Sequence, residues 1–256
     1  MDPAALIPLL AAAIAAGWVD AVVGGGGLLL LPALLLGLPD LPPATALGTN
    51  KLTAITGTTT AAITYARRTK IDWSVAGPAA GCAVLASGTG ALLAGTIPPA
   101  AYRPAVIAVL AAVAVTVAVR PRIGTVADPA RRTTARVAAA VLTAGGLIAV
   151  YDGMFGPGTG TFLVLAFTTL IGVDFLHGSA MAKLVNAGTN LGALAVFAAT
   201  GHVWWLLGAL LAVGNIAGAL LGARTAIRRG AGFVRLVLLA VVLAMAAKLG
   251  YDQWAA

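Results

Sequence analysis

Two lysines and two aspartates stand inside stretches of this chain that are otherwise apolar. Asp20 ends an apolar run and is followed, after Ala21-Val22-Val23, by four glycines, Gly24–Gly27. Asp152 stands in Val150-Tyr151-Asp152-Gly153-Met154-Phe155-Gly156-Pro157-Gly158-Thr159-Gly160, a second acid beside a second glycine-rich break. Lys51 lies within the apolar segment Ala44–Ala66 and Lys183 within Ser179–Thr200. A charge at bilayer depth costs about 2.5–3.5 kcal/mol on the insertion scale, so such residues mark a pathway or a fixed ion pair. Lys183, Asn186 and Asn190 follow i, i+3, i+7 and share one helix face; Lys51, Ile55 and Thr58 repeat that geometry, with Asn50 adjacent.

Such residue types suit recognition of a small oxyanion. Glycine is about 0.8–1 kcal/mol per residue poorer than alanine in a helix, so the glycine runs should unwind the chain. Each helix restarting after a break presents unsatisfied N–H groups and a partial positive charge. The candidate binding groups are therefore the backbone at Gly25, Gly26, Gly27, Gly158, Thr159 and Gly160, the ammonium groups of Lys51 and Lys183, and the amides of Asn50, Asn186 and Asn190. Asp20 and Asp152 oppose an anion unless protonated or paired. They are either counter-ions, in the pairs Asp20–Lys51 and Asp152–Lys183, or carriers of a coupling proton.

The elements that must position these groups are read from composition and hydropathy. Hydrophobic residues make up 60% of 256, charged residues 9%, and mean hydropathy is +0.99. A soluble domain carries about 25% charge, so this is a polytopic membrane protein. The apolar segments are Pro3–Val23, Leu28–Leu38, Ala44–Ala66, Ser74–Gly95, Ala101–Val119, Arg136–Val150, Thr161–Val173, Ser179–Thr200, Val203–Gly222 and Phe233–Tyr251. Most approach the roughly 20 residues that a spanning helix needs. Leu28–Leu38 and Thr161–Val173 reach only about 17–20 Å and read as half-helices that follow the glycine breaks.

A shift of 132 residues exposes an internal repeat. Asp20 falls on Asp152, Lys51 on Lys183, Leu52 on Leu184, Gly24 and Gly26 on Gly156 and Gly158, Trp73 on Trp205, and Gly90 on Gly222. One domain is expected over 1–256, with repeats at 3–119 and 136–252 and a linker at 120–135. Basic clusters lie at Arg67-Arg68-Thr69-Lys70, between Arg120 and Arg136, and at Arg224, Arg228, Arg229 and Arg235. Placing all three in the cytoplasm puts equivalent loops on opposite faces. The expected fold is all-α: two inverted repeats, each a re-entrant half-helix hairpin plus three crossings, with both termini extracytoplasmic.

Other readings carry less weight. The +8 charge sits in loops between apolar segments, which excludes a nucleic-acid-binding domain. Gly24–Gly27 lacks a strand and a Walker pattern, so it is no nucleotide loop. His177 and His202 are too few for a metal site, no cofactor is expected, and Cys82 reads as a small packing residue. Trp18, Trp73, Trp204, Trp205 and Trp254 near segment ends read as interface anchors. Met1-Asp2-Pro3 carries no positive charge, and the segment it opens recurs inside the chain, so that segment is expected to be mature structure rather than a leader.

The motifs Gly17-Trp18-Val19-Asp20-Ala21-Val22-Val23-Gly24-Gly25-Gly26-Gly27, Ala46-Leu47-Gly48-Thr49-Asn50-Lys51-Leu52, Tyr151–Gly160 and Ala180-Met181-Ala182-Lys183-Leu184-Val185-Asn186-Ala187-Gly188-Thr189-Asn190 resemble the TauE/SafE sulfite-exporter family, within the toluene-sulfonate uptake permease group. The resemblance runs from about residue 10 to the end. It implies an inner-membrane, two-repeat transporter of sulfite, sulfonates or related sulfur oxyanions. The expected function is therefore secondary transport of such an anion by alternating access at a midplane site between the repeats. The alternative is a cation-coupled or cation-selective permease in which the aspartates hold the ligand. No catalytic constellation is visible, so no enzyme is expected. The expected partners are the small anion, the lipid bilayer and, as in many such bundles, further copies of the chain.

Overall fold

A computed structural model describes residues 3–94, 126–156 and 158–254. The expected segment Ala101–Val119 lies outside the described residues. Those described form helices and turns, with no strand among them. We number the helices α1 (Pro3–Val23), α2 (Gly27–Gly37), α3 (Pro43–Ala66), α4 (Trp73–Leu93), α5 (Thr134–Met154), α6 (Thr159–Leu170), α7 (Phe175–Ala199) and α8 (Trp205–Trp254).

Local chemistry sets most boundaries. Pro43 opens α3, where its missing N–H costs nothing. The side chains of Asp72, Thr133 and Asp174 cap α4, α5 and α7 by accepting from the N–H groups of Ser74, Arg136 and His177. The expected segment Arg136–Val150 is extended at both ends: α5 starts two residues earlier, passes through a π-turn at Thr143–Leu147, and carries Asp152 in its last turn. The expected turn between Gly222 and Phe233 is a correction. Arg224, Arg228 and Arg229 continue the helix, and only Gly230 (φ 75°) divides α8 into arms over 205–229 and 231–254. Arginine is a good helix former, whereas Gly230, in the middle of α8, takes the left-handed backbone that glycine adopts without strain.

Among the described residues, four helices are long and apolar enough to span a bilayer: Leu6–Val23, Trp73–Leu93, Thr134–Met154 and Trp205–Val241. The inner helices α3 and α7 carry Lys51, Lys183, Asn50, Asn186 and Asn190, and pack on each other and on α8 and α4. These five side chains are buried, sheltered from lipid by their neighbours.

Contact register gives the directions. Gly218 and Gly222 in the first arm of α8 lie against the carbonyls of Ile14 and Trp18, so α1 runs parallel to that arm. Thr53 and Gly57 of α3 meet Gly208 and Asn215 of the same arm, again in parallel. Gly188 and Gly192 of α7 meet Ala80 and Val84 of α4, and Gly145 and Gly153 of α5 meet Ala79 and Ser87. In contrast, α3 and α7 are antiparallel, because Gly48 meets Phe197 while Thr58 meets Asn190. The counterparts under the 132-residue shift, α1 and α5, α3 and α7, and α4 and the first arm of α8, thus run oppositely. These are the directions that inverted repeats require.

The two ends differ in charge. Arg131 and Arg136 donate to the carbonyls of Thr169 and Leu170 at the end of α6, and Arg132 pairs with Asp72 at the start of α4 (2.7 Å). The Arg132 side-chain hydrogen bond holds the Asp72 carboxyl below its ordinary value, outweighing partial burial. His177 stands beside Asp174 (2.8 Å); that hydrogen bond raises the imidazole above its ordinary value, against the effects of burial and of Lys70. At the opposite end, Trp204 N donates to Thr49 Oγ1 (3.0 Å) and Gly37 packs on Leu9.

Candidate functional site

Each half of the chain breaks its first helix in the interior. In the first elbow, α1 ends at Val23 and Gly24 adopts φ 83°. Asp20 ties this elbow together: its carbonyl accepts from Gly24 N (2.7 Å) and its Oδ1 from Gly26 N (3.4 Å). In the second elbow, α5 ends at Met154, Gly156 and Gly158 have φ 82° and 84°, and Thr159 Oγ1 donates to Gly156 O (2.9 Å) before α6 begins. The elbows touch. Gly160 N donates to Gly24 O (3.2 Å), and a side-chain carbon added at either glycine would fall 2.2 Å from the α-carbon of the other. Glycine is required here for close approach as well as for backbone freedom.

Both lysines reach these elbows from the long inner helices. Lys51 Nζ donates to Asp152 Oδ2 (2.6 Å) and to Asp152 O (3.1 Å). Lys183 Nζ donates to Asp20 Oδ2 (3.3 Å) and to Asp20 O. Lys51, Asp152 and Lys183 are at most 3% exposed, and Asp20 is 9% exposed. The pairs are therefore crossed between halves: Asp20 binds Lys183 rather than Lys51, and Asp152 binds Lys51 rather than Lys183. This corrects the expected in-repeat pairing. The cause is tertiary: α1 packs along α8, in the second half, so its end arrives beside α7.

The amides surround this arrangement. Asn50 lies against the start of α2, where a side-chain carbon at Gly27 would sit 3.7 Å from Asn50 Nδ2. Asn50 Oδ1 is buried, with no hydrogen-bond partner among the described residues. Asn190 Nδ2 donates to Thr58 Oγ1 (3.4 Å), and these two residues are 132 apart, so each meets its own counterpart where the halves cross. Asn186 Oδ1 accepts from Thr189 Oγ1 (3.1 Å). Gly158, Thr159 and Gly160 stand buried at the start of α6. A side chain at Gly25 would instead face Val19 and Val241, and one at Gly26 would strike Ala16 O and Asp20 Cβ.

Three further residues escaped the sequence reading. Tyr65, Thr161 and Ser179 donate to the carbonyls of Ala21 (3.1 Å), Val23 (3.1 Å) and Val22 (3.0 Å) at the end of α1. The available signal was a hydroxyl in an apolar segment without a hydroxyl at the shifted position, where Phe197, Leu29 and Leu47 stand. Asn215 was also missed; its Nδ2 donates to Ala13 O (3.1 Å), and Gly17 and Gly57 make room for it.

Apolar spanning helices, two broken helices meeting in the interior and buried charges at both breaks define a polytopic membrane transporter. Comparison with known proteins agrees. Residues 9–249 match the family described as Sulfite exporter TauE/SafE. The Probable membrane transporter protein ORF9 of Sinorhizobium sp is 38% identical over 244 residues, covering 95% of this chain and 92% of that protein. The Probable membrane transporter protein YfcA of Escherichia coli K12 is 36% identical over 253 residues, covering 99% and 92%. A Probable membrane transporter protein of Haemophilus influenzae is 33% identical over 238 residues, covering 93% and 91%. The chain belongs to the TauE/SafE family of membrane transporters, and these relatives are named as transporters, not enzymes. No solved structure matches.

Proposed function

We propose that this transporter carries a small sulfur-containing oxyanion, such as sulfite or a sulfonate, across the bacterial inner membrane by alternating access at the paired elbows. The observation that carries the reading is the crossed ion-pair arrangement, Lys51–Asp152 and Lys183–Asp20, at two helix breaks. In each pair a carboxylate occupies the ammonium that an incoming anion would use. An arriving oxyanion displaces that carboxylate, and the N–H groups at the starts of α2 and α6 together with Asn50 supply further donors. Asp20 and Asp152 thus act as tethered counter-ions that exchange places with the anion on the two ammonium groups. The arginine-rich end faces the cytoplasm, which leaves both termini outside.

The cation-permease reading is less favoured, because each carboxylate already has an ammonium within 2.6–3.3 Å that repels a second cation. Proteoliposome flux separates the two. Sulfite uptake should be competed by sulfonates and abolished by Lys183→Ala, and Asn50→Ala should raise KM roughly tenfold for one lost charge-assisted hydrogen bond. Flux of a cation that survives Lys183→Ala and vanishes in Asp20→Asn would refute the anion reading.

A further inference from the structure

The described helices sort into two bodies that cut across the repeats. In one, α1, α2 and α3 from the first half pack with the first arm of α8 from the second. Side chains added at Gly218 and Gly222 would strike the carbonyls of Ile14 and Trp18, and Asn215 Nδ2 donates to Ala13 O (3.1 Å). The other body joins α5, α6 and α7 from the second half to α4 from the first. A side chain at Gly153 would strike Ser87 O, and those at Gly188 and Gly192 would strike the carbonyls of Ala80 and Val84. Among the described residues, α4 packs chiefly on α5 and α7 rather than on α1, α2 or α3. Each body therefore takes one long helix from the opposite half.

The joints within a body differ in kind from those between bodies. Within a body, helices meet backbone to backbone through glycine, and a shift by one residue would drive a β-carbon into a carbonyl. Such packing has one register. Between the bodies, α3 crosses α7 and the ties are mainly polar side chains. Lys51 binds Asp152 (2.6 Å), Lys183 binds Asp20 (3.3 Å), and Asn190 donates to Thr58 (3.4 Å). Thr161 and Ser179 donate across the same boundary to Val23 O (3.1 Å) and Val22 O (3.0 Å). A lysine ammonium on its flexible stem can change partner while its helix stays in place. Each ion pair joins a lysine of one body to an aspartate of the other.

We propose that the units that move in the transport cycle are these two bodies, α1–α2–α3 with the first arm of α8 and α4–α5–α6–α7, rather than the two repeats, and that the two lysine–aspartate pairs are latches between them. A ligand that takes an ammonium from its carboxylate then also unfastens the bodies, so binding and movement are one event. That last step rests on the anion-transport reading above; the division into bodies does not.

Spin-label distances on the full chain in lipid nanodiscs test the division, with Cys82→Ala removing the native thiol. Ile63→Cys with Leu85→Cys labels exposed positions on α3 and α4, in one half but in different bodies. Leu85→Cys with Leu142→Cys labels α4 and α5, in different halves but in one body. Lys51→Met with Asp152→Asn opens one latch without stranding a charge. It should shift or broaden the 63–85 distance by about 2 Å or more and leave the 85–142 distance unchanged. A change in 85–142 with 63–85 fixed, or no change in either, overturns the proposal. A disulfide supplies the second readout. With Ala13→Cys and Gly214→Cys the β-carbons would lie 3.6 Å apart, inside the disulfide range of about 3.5–4.5 Å, and would tie the halves together within one body. Sulfite flux in proteoliposomes should show no loss on oxidation, whereas a loss that reduction restores overturns the proposal. If the unlinked protein moves no sulfite, the anion reading fails, and the spin-label distances still decide which helices move together.

Discussion

Crossed pairing makes a demand that in-repeat pairing does not. Removing one partner of a buried ion pair leaves a charge with no counter-ion in an apolar interior, at a cost of about 3–5 kcal/mol. Lys183→Met should impose this cost in full, because Lys183 is 0% exposed and Asp20, at 9%, has no other cation against its carboxylate among the described residues. At roughly 2–4 °C per kcal/mol for a chain of this size, the loss of Tm is about 6–20 °C. Adding Asp20→Asn removes the stranded charge and should recover most of the loss, since a pair replaced by neutral groups is often close to neutral. Adding Asp152→Asn to Lys183→Met should instead strand Lys51 as well and deepen the loss. The assay is fluorescence-detected unfolding of the purified protein in detergent, on four single variants and four doubles that combine each lysine with each aspartate. Coupling well beyond the additive limit of about 0.5 kcal/mol is expected for Lys183 with Asp20 and for Lys51 with Asp152. If Asp152→Asn rescues Lys183→Met and Asp20→Asn does not, the crossed arrangement is wrong.

Two other outcomes follow from the geometry. Gly160→Ala places a carbon 2.2 Å from the α-carbon of Gly24, so the elbows must separate; flux should fall by an order of magnitude or more, by analogy with small displacements at binding sites. Wild-type rates in this variant would mean that the elbows need not touch. His177, raised by its hydrogen bond to Asp174, contributes stability that is present below its ordinary titration range and lost as pH rises through its raised value. Asp174 is held low by the His177 hydrogen bonds despite the opposing effect of burial, so its contribution is present above the ordinary carboxyl range and lost as pH falls through the lowered value. Stability from this pair should therefore be greatest in mildly acid conditions. His177→Gln should flatten the alkaline side of a Tm-against-pH curve, with an effect below about 1 kcal/mol because both groups are partly solvated. An unchanged alkaline slope would remove His177 from the account.

Much of the architecture was legible because it follows from local rules. The breaks at Gly24 and Gly156–Gly158 follow from glycine's helix penalty, and the starts of α3 and α4 follow from Pro43 and the Asp72 cap. Lys51 and Lys183 stood out because charge is rare in an apolar segment, and their 132-residue spacing exposed the repeat. The boundary of α8 was less legible, because arginines that look like a loop in composition extend a helix as readily as they end one.

The sequence alone determined which residues are charged in the membrane, where helices cannot continue, and that the chain repeats, since each is a property of a residue and its near neighbours. Tertiary structure alone decided who meets whom. Asp20 binds Lys183 because α1 lies along α8 and ends beside α7, and no spacing within either half contains that fact. The same holds for Tyr65, Thr161 and Ser179, whose hydroxyls look unremarkable until the carbonyls left open by the end of α1 are brought within about 3 Å of them. Hydrogen-bond partners across a fold are set by the packing of whole helices, and local propensity carries no record of it.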